Sequence, residues 1–507
     1  GVRISLFMFR KVLIANRGEI AVRIIRTLRE MGIGSVAVYS DADRASLHVR
    51  MADEAAHIGP SPSSESYLRI DRILDAARAH NAEAIHPGYG FLSENAGFAA
   101  ACEQARIAFI GPSPAAIRLM GSKTSARELA AAAGVAAVPG MQKAARDASE
   151  AQEFARSCGY PVLLKAVAGG GGKGMRRVDR DEDLAPALRD AASEAEHAFG
   201  DPAVYVEKLI ERPRHIEIQL LGDREGHIIH LGERECSLQR RHQKIVEECP
   251  SPLVAAHPEM RRAMGEAAVR IARAAGYYNA GTIEFLVDAR RKFYFLEMNT
   301  RLQVEHPVTE LVTGLDLVRL QLEIAAGERL RLQQEEVEWR GAAIECRIYA
   351  EDPDNQFFPS PGRIAYLDRP SGPGIRLDSG VYAGWSVPLE YDPLLAKLAV
   401  WAGSRDQAVA RMIRALDEFQ VAGIKTNLGF FRQLLDDREF RQGTLHTGMV
   451  DEFLSRRSAP VDDPELQAAA ALVAQAFLAR EPVRKNNNTG KNAYSTWRTA
   501  GRDDLLQ

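Results

Sequence analysis

Apolar residues near the N-terminus come in short runs separated by stretches of helical period. "KVLIAN" (Lys11–Asn16) reads as a buried strand, and Gly18 opens a helix with Ile20, Ile24, Leu28 and Met31 on one face. Gly32 and Gly34 stop that helix, and "SVAVYS" is the next strand. The pattern recurs as a helix near 67–80, the strand "AEAIHPG", a helix near 94–105 and the strand "IAFIGP". Alternation of this kind makes a parallel sheet wound with helices on both faces. Helical segments continue to Ala133 and break at Val138–Gly140, and a compact segment runs from there to about 207. The next stretch alternates with period two: in "RHIEIQLL", His215, Glu217 and Gln219 take one face and Ile216, Ile218 and Leu220 the other. Short strands with Gly/Pro turns fill 341–400, and helices run on to about Arg457. "RSAPVDDPE", one helix and "VRKNNNTGKN" then read as a linker, and "AYSTWRTAGRDDLLQ" as the opening of a further, incomplete domain.

At 507 residues, the chain has the length of about three domains. Its 46 % hydrophobic and 26 % charged residues are those of a globular protein. A net charge of −3 argues against nucleic acid or an anionic membrane as the main partner. There is also no apolar run of the ~18 residues that a membrane span requires. An anionic ligand must therefore be met by a local cluster of cations. The cysteines (Cys102, Cys158, Cys236, Cys249, Cys346) form no CxxC pair and no zinc spacing, which predicts reduced thiols and a cytoplasmic setting. Residues ahead of Met8 carry one charge and too short an apolar patch for a secretory signal, so Met8 reads as the natural start.

Three features carry chemistry. The first is Gly169–Gly174, five glycines and Lys173, which follows the strand "PVLLKA". It formally fits GxGxxG, but that fingerprint must open a helix, and "MRRVD" after it reads as a strand. A phosphate loop of the Walker A kind fails as well, because Val167 and Gly174 occupy the positions of its first Gly and its Ser/Thr. What remains is a glycine hairpin tip, whose backbone N–H groups can approach phosphates and which can act as a lid.

The second is the placement of lysine. With 12 lysines against 53 arginines, generic positive charge here is written as Arg. Lys123 in "GSKTSA", Lys165 in "LLKAVAG" and Lys244 in "QRRHQKIVEE" are therefore informative, as compact cations suited to phosphates and small oxyanions. The third is "AGTIEFLVDARRKFYFLEMNTRLQVEHP", which reads as two antiparallel strands turning around Arg290 and Arg291. A two- or four-residue loop there sets Glu284 opposite Glu297, with Asn299 on the face of Glu297. Opposed carboxylates repel unless a cation lies between them, and Glu, Glu and Asn are hard oxygen ligands suited to magnesium.

With these motifs the chain resembles the biotin carboxylase component of biotin-dependent carboxylases, a branch of the ATP-grasp superfamily. The resemblance covers about residues 8–456 through "IANRGEIAVRI", "HPGYGFLSEN", "GGGGKGM", "ERECSLQRRHQK", "EMNTRLQVEHPVTE" and "AEDP". It implies a mixed α/β and α+β chain: a Rossmann-like N-terminal domain over 8–121, an ATP-grasp domain over 122–340 with a glycine-rich lid at about 138–207, and a C-terminal biotin carboxylase domain over 341–456. Residues 457–507 are left as the linker and the start of the incomplete domain. The activity it implies is ATP-dependent carboxylation of biotin on a carrier protein with bicarbonate, through carboxyphosphate, as the first half-reaction of an acyl-CoA carboxylase.

The resemblance also assigns residues. Lys123, Lys165, Glu207, Lys208, His215, Gln239 and His242 would surround ATP, with Gly171 and Gly172 over its phosphates. Glu284, Glu297 and Asn299 would hold magnesium, with manganese as a substitute. Lys244, Arg301, Gln303 and Val304 would hold bicarbonate, Glu305 would be its base, and Arg347 would stabilise the biotin enolate, with Asp392 nearby. Implied partners are a biotin carboxyl carrier protein or domain, a carboxyltransferase subunit, and a second copy in a homodimer or larger complex. Tyr349, "YDPLL" and the tail around Trp497 look like the acyl-CoA type. Carrier domains of the family bear biotin on a lysine between two methionines, and no lysine here has a methionine neighbour, so this polypeptide is expected not to be biotinylated itself. The nearest alternative is another ATP-grasp carboxylate ligase, from which "RLQVEHP" and Arg347 distinguish it.

Overall fold

The computed structural model describes residues 8–141, 143–167 and 175–457, with helical conformation at 468, 472 and 475. The residues before Met8 and almost all of the expected linker and incomplete domain lie outside the described residues. The chain divides into two units, Gly1–Ser455 and Arg456–Gln507, and all the sheets among the described residues belong to the first.

The N-terminal sheet has five parallel strands in the order Glu54–Gly59, Gly34–Ser40, Lys11–Ile14, Ala84–His86 and Ala108–Phe109. Lys11–Ile14 pairs on both sides and is almost wholly buried, as its continuous apolar run requires. The helix Gly18–Glu30 buries Ile20, Ile24 and Leu28, the face read from its period, while Met31 caps its C-terminus half-buried. The expected helices near 67–80 and 94–105 form over Ile70–Ala79 and Ala96–Gln104. The second is capped by Asn95, whose side chain accepts from the Phe98 N–H.

Around the glycine loop, Val162–Ala166 pairs antiparallel with Met175–Val178, Lys165 lying opposite Met175, and with Val204–Lys208 on its other side. The loop therefore joins strand to strand, as "MRRVD" suggested. Gly171 and Gly172 themselves lie outside the described residues.

The largest element is an antiparallel sheet of eight strands. Their order is Phe293–Asn299, Asn279–Val287, Arg214–Gly222, Ile228–Arg240, Gln243–Cys249, Ala342–Tyr349, Leu394–Ala402 and Ile375–Ser379. It runs unbroken across residue 340, since Val246 pairs with Cys346. One face behaves as the alternation predicts: Ile216, Ile218, Leu220, Ile283 and Phe285 pack on Met260, Met264, Ala268 and Ile271 of the helix Pro258–Ala274. The opposite face is also buried but polar, with Glu217, Gln219, Arg234 and Glu284 all below one-tenth exposure.

Buried polar groups must pair, and Arg234 does most of the pairing. It is fully buried and donates to Glu217 Oε1 (2.5 Å), Gln219 Oε1 (2.6 Å), Thr309 Oγ1 (3.0 Å) and Thr282 Oγ1 (3.1 Å). One guanidinium thus joins three strands to the helix His306–Thr313. Arg234→Met would leave these acceptors without their donor, a loss expected to cost about 3–5 kcal/mol. Arg234→Lys, which keeps charge but not the fork, should fall in between. Urea midpoints with unchanged slope measure both; a loss under about 1 kcal/mol in the Met variant would refute this account.

Candidate functional site

The site is built on a cross-strand row. Glu297 pairs with Glu284, Glu284 with Glu217, and Glu217 with Arg234, on four adjacent strands. The opposition of Glu284 and Glu297 is the one expected, but it arises differently. The turn is a five-residue loop, 288–292, closed by Val287 opposite Phe293, and not a two- or four-residue one. An odd loop alone would shift the register by one. A bulge at Leu296 supplies the compensating residue, because Phe285 pairs with Phe295 and Glu284 with Glu297.

Lys244 answers the row. Its ammonium lies 2.6 Å from Glu217, 2.7 Å from Glu284 and 2.7 Å from Glu305. These three carboxylates hold its pKa well above the ordinary lysine value although burial acts to lower it. His215, Glu217 and Glu284 also bring ligand atoms within 4.8 Å of one another, but Lys244 accounts for that closeness. His215 Nε2 stands 2.7 Å from Glu284 Oε2 without hydrogen-bond alignment, and its Nδ1 meets the Gln239 amide at 2.6 Å. Lys244 is delivered by a tight hairpin in which Arg240 pairs with Gln243, and Arg241 and His242 both adopt positive φ (48° and 66°). Glycine or asparagine normally fills such positions, so two larger residues here store strain of order 1 kcal/mol each next to the site.

Glu305 directly precedes the helix His306–Thr313 and is completely buried. One oxygen meets Lys244, and the other accepts from Arg347 at 2.8 Å, while Arg347 Nε donates to Glu247 at 2.6 Å. Burial acts to raise the Glu305 pKa, but Lys244, Arg347 and Arg234 together hold it well below the ordinary value. Glu284 is likewise held low, Lys244 and His215 outweighing burial. Glu297 goes the other way: its side chain is exposed to the cleft, and the charge of Glu284 first, then partial desolvation by the cleft walls, raise its pKa. That unrelieved repulsion is what a divalent cation between the two would remove, and the oxygens of Glu284, Glu297 and Asn299 are donors that magnesium accepts. The residues fit the ion.

All of this opens into one cleft of about 1030 Å³. Lys123, Lys165, Glu207, Lys208, His215, Gln239, His242, Lys244, Glu284, Glu297, Asn299, Arg301, Gln303, Val304 and Arg347 all line it. Glu305 does not; it sits behind Lys244 and Arg347. Lys165 ion-pairs with Glu207, which also accepts from Arg127 at 2.8 Å, whereas the Lys208 ammonium is occupied by the carbonyls of Gly159 and Tyr160. Arg301 donates to Glu94, Asn299 and Gln303. Asp392 lies close enough for Arg347 to oppose the burial that raises its pKa.

Sequence reasoning missed Arg234, Glu247 and Glu345 as parts of this centre. Glu345 pairs across the sheet with Glu247 and is fully buried, and burial is the main reason its pKa stands well above the ordinary value. The period-two alternation that put Glu217 on the face of His215 could also have flagged Glu345 beside Arg347.

The fold and this cleft define an ATP-grasp ligase. Residues 122–333 match the model of the carbamoyl-phosphate synthase L chain, ATP binding domain; 8–117 match the biotin carboxylase N-terminal domain, and 345–452 the biotin carboxylase C-terminal domain. The chain belongs to the biotin carboxylase family. It is 54 % identical over 444 residues to the biotin carboxylase of Nostoc sp., covering 88 % of this chain and 99 % of that one. To the propionyl-CoA carboxylase alpha chain of Ruegeria pomeroyi it is 48 % identical over 505 residues, covering 96 % of this chain and 74 % of that one. Among solved structures it resembles the biotin carboxylase domain dimer of Hydrogenobacter thermophilus 2-oxoglutarate carboxylase in complex with MgADP, ADP and bicarbonate. That match has a TM-score of 0.83 and 48 % identity, with 89 % and 99 % of the two chains covered. All five cysteines are free, and no helix among the described residues is long and apolar enough to cross a membrane.

The row makes the two metal-side carboxylates unequal without metal. Glu297→Gln removes the repelled charge and should raise the Tm modestly in EDTA, since water in the cleft screens the effect. A raised carboxylate pKa means that ionisation opposes folding, so this gain should shrink as pH falls through that pKa and Glu297 itself protonates. Glu284→Gln strips Lys244 of a partner and should lower the Tm. Equal shifts of one sign in thermal scans with EDTA would contradict the inequality.

Proposed function

We propose that this chain carries out ATP-dependent carboxylation of biotin on a carrier protein, with bicarbonate as carbon source and carboxyphosphate as intermediate. This is the first half-reaction of an acyl-CoA carboxylase. The observation that carries the reading is the junction at Lys244. One ammonium there joins the carboxylates of a metal-side row to Glu305, whose second oxygen is gripped by Arg347.

In this reading Lys123, Lys165, Glu207, Lys208, His215, Gln239 and His242 embrace the nucleotide, with Gly171 and Gly172 over its phosphates. Glu284, Glu297 and Asn299 hold magnesium, which when bound neutralises charge on the phosphoryl oxygens. Lys244, Arg301, Gln303 and Val304 hold bicarbonate, a small anion that overall charge would not attract. Glu305 is the base. Paired with two cations it is a weak acceptor, but an anion bound against Lys244 and Arg347 offsets part of their field and raises its basicity. Proton removal from bicarbonate is thereby tied to the arrival of bicarbonate. Arg347, on the next strand, then stabilises the enolate oxygen of biotin, and a closed lid keeps water from the labile intermediate. The partners are a biotin carrier protein or domain and a carboxyltransferase subunit. The dimeric neighbour and the propionyl-CoA carboxylase relative support a homodimer within an acyl-CoA-type complex.

The direct test is ATP cleavage by the purified chain, which should require bicarbonate and rise with added free biotin. ATP cleavage indifferent to bicarbonate would defeat the reading. Glu305→Gln should cut bicarbonate-dependent cleavage by about 10²–10⁴-fold while leaving ATP affinity nearly unchanged, because it loses a base and no nucleotide contact. Arg347→Ala should instead impair biotin carboxylation more than bicarbonate-dependent ATP cleavage. Equal losses in the two assays would argue against separate roles.

A further inference from the structure

Lys397 is a fully buried lysine with no part in the binding and catalytic roles proposed for the cleft. It lies on the strand Leu394–Ala402, opposite Arg347 on one neighbouring strand and opposite Asp378 on the other. Its ammonium donates to the Val304 carbonyl at 2.7 Å and stands 3.4 Å from Glu19 Oε1. Glu19, in the first turn of the helix Gly18–Glu30, is buried, and neither of its oxygens has a hydrogen-bond partner among the described residues. One ammonium therefore ties the N-terminal helix, the segment before Glu305 and the sheet at Arg347 together.

Burying an ammonium is expensive, and an apolar side chain of similar volume would fill the same space with no desolvation penalty. What an apolar residue cannot do is hold the Val304 carbonyl. On one side of Val304, Gln303 reaches Glu284 at 3.3 Å; on the other, Glu305 meets Lys244 and Arg347. The peptide between them fixes both.

We propose that Lys397 is a positioning residue for the carboxylation reaction: by holding the Val304 carbonyl it sets the Gln303–Glu305 segment against Arg347, in the geometry that binds bicarbonate and removes its proton. The inference rests on the roles proposed for Gln303, Val304, Glu305 and Arg347. Without the bond, the carbonyl is left as an acceptor with no donor and the segment is free to turn, and displacements of about 1 Å at a reacting centre cost on the order of 10²-fold.

The test begins with Lys397→Met, which keeps a long stem and removes the donor. The KM for bicarbonate in ATP cleavage should rise by about tenfold or more while the KM for ATP stays unchanged. At pH 8 the same variant leaves the Glu19 carboxylate charge without its cation, and burial already raises that carboxyl's pKa to about 7, so folding must take up a proton and the Tm should fall. The double variant Glu19→Gln, Lys397→Met removes that charge and should recover the Tm. If Lys397 positions the segment, the bicarbonate defect persists in the double variant. If the defect disappears together with the Tm deficit, Lys397 merely balances Glu19, and the proposal is overturned. Lys397→Arg, still a donor, should restore part of the bicarbonate KM. A wild-type chain whose ATP cleavage ignores bicarbonate overturns this inference along with the reading beneath it. A responsive wild type with an unchanged bicarbonate KM in Lys397→Met overturns this inference alone.

Discussion

Three carboxylates lying side by side on adjacent strands set the problem that the rest of the site solves. At the ~5 Å spacing of a sheet, each adjacent like-charge pair repels by roughly 3 kcal/mol at an effective dielectric of 20. Lys244 touches two members of the row and Glu305 besides, and Arg234 neutralises the row's inner end from a fully buried position. The outer end, Glu297, is left repelled, and it faces the cleft. The positive φ values at Arg241 and His242 belong to the same solution, since that hairpin delivers Lys244 to the row. The arrangement is held in tension by the rest of the fold, and the repulsion is greatest at its open end.

Glu305 shows how burial and pairing divide labour. A base exposed in the cleft would titrate with solvent. Here the carboxylate sits behind two cations that hold its pKa well below the ordinary value against the effect of burial, and in the proposed reaction an anion sharing their field would raise its basicity. Arg347 is itself braced by Glu247, whose cross-strand neighbour Glu345 is buried without a hydrogen-bond partner among the described residues. Burial, the largest influence on Glu345, raises its pKa well above the ordinary carboxylate value, with the charge of Glu247 adding to the rise and those of Lys397 and Arg347 opposing it.

The continuity of the eight-stranded sheet matters for the same reason. Glu284 and Lys244 come from the part of the chain that matches one family model and Arg347 from the part that matches another, yet all three stand on strands of one hydrogen-bonded sheet. The groups to which the proposed reaction assigns nucleotide, bicarbonate and biotin are held on a rigid element, which secures their spacing better than loops from separate domains would.

The N-terminal parallel sheet was legible from periodicity alone, because Val12–Ile14 and the Ile20, Ile24, Leu28 face record burial directly in residue type. The strand-to-strand setting of the glycine loop was legible too, from the strand-like run "MRRVD" on its far side. His215, Glu217 and Gln219 were placed on one face because a strand's period is fixed by its geometry. The partner of Glu284 was named correctly from a loop length that was not the real one, since a bulge is a backbone event with no residue signature at Leu296. Arg234, Glu247 and Lys397 could not be ranked from the sequence, where they are charged residues on strands like many others; Glu345 could be placed by its alternation beside Arg347, but its burial could not. Their importance comes from partners 15 to 100 positions away along the chain and, for Lys397, from Glu19 near its far end. Only closure of the sheet decides which charges are buried together, and hence which must pair.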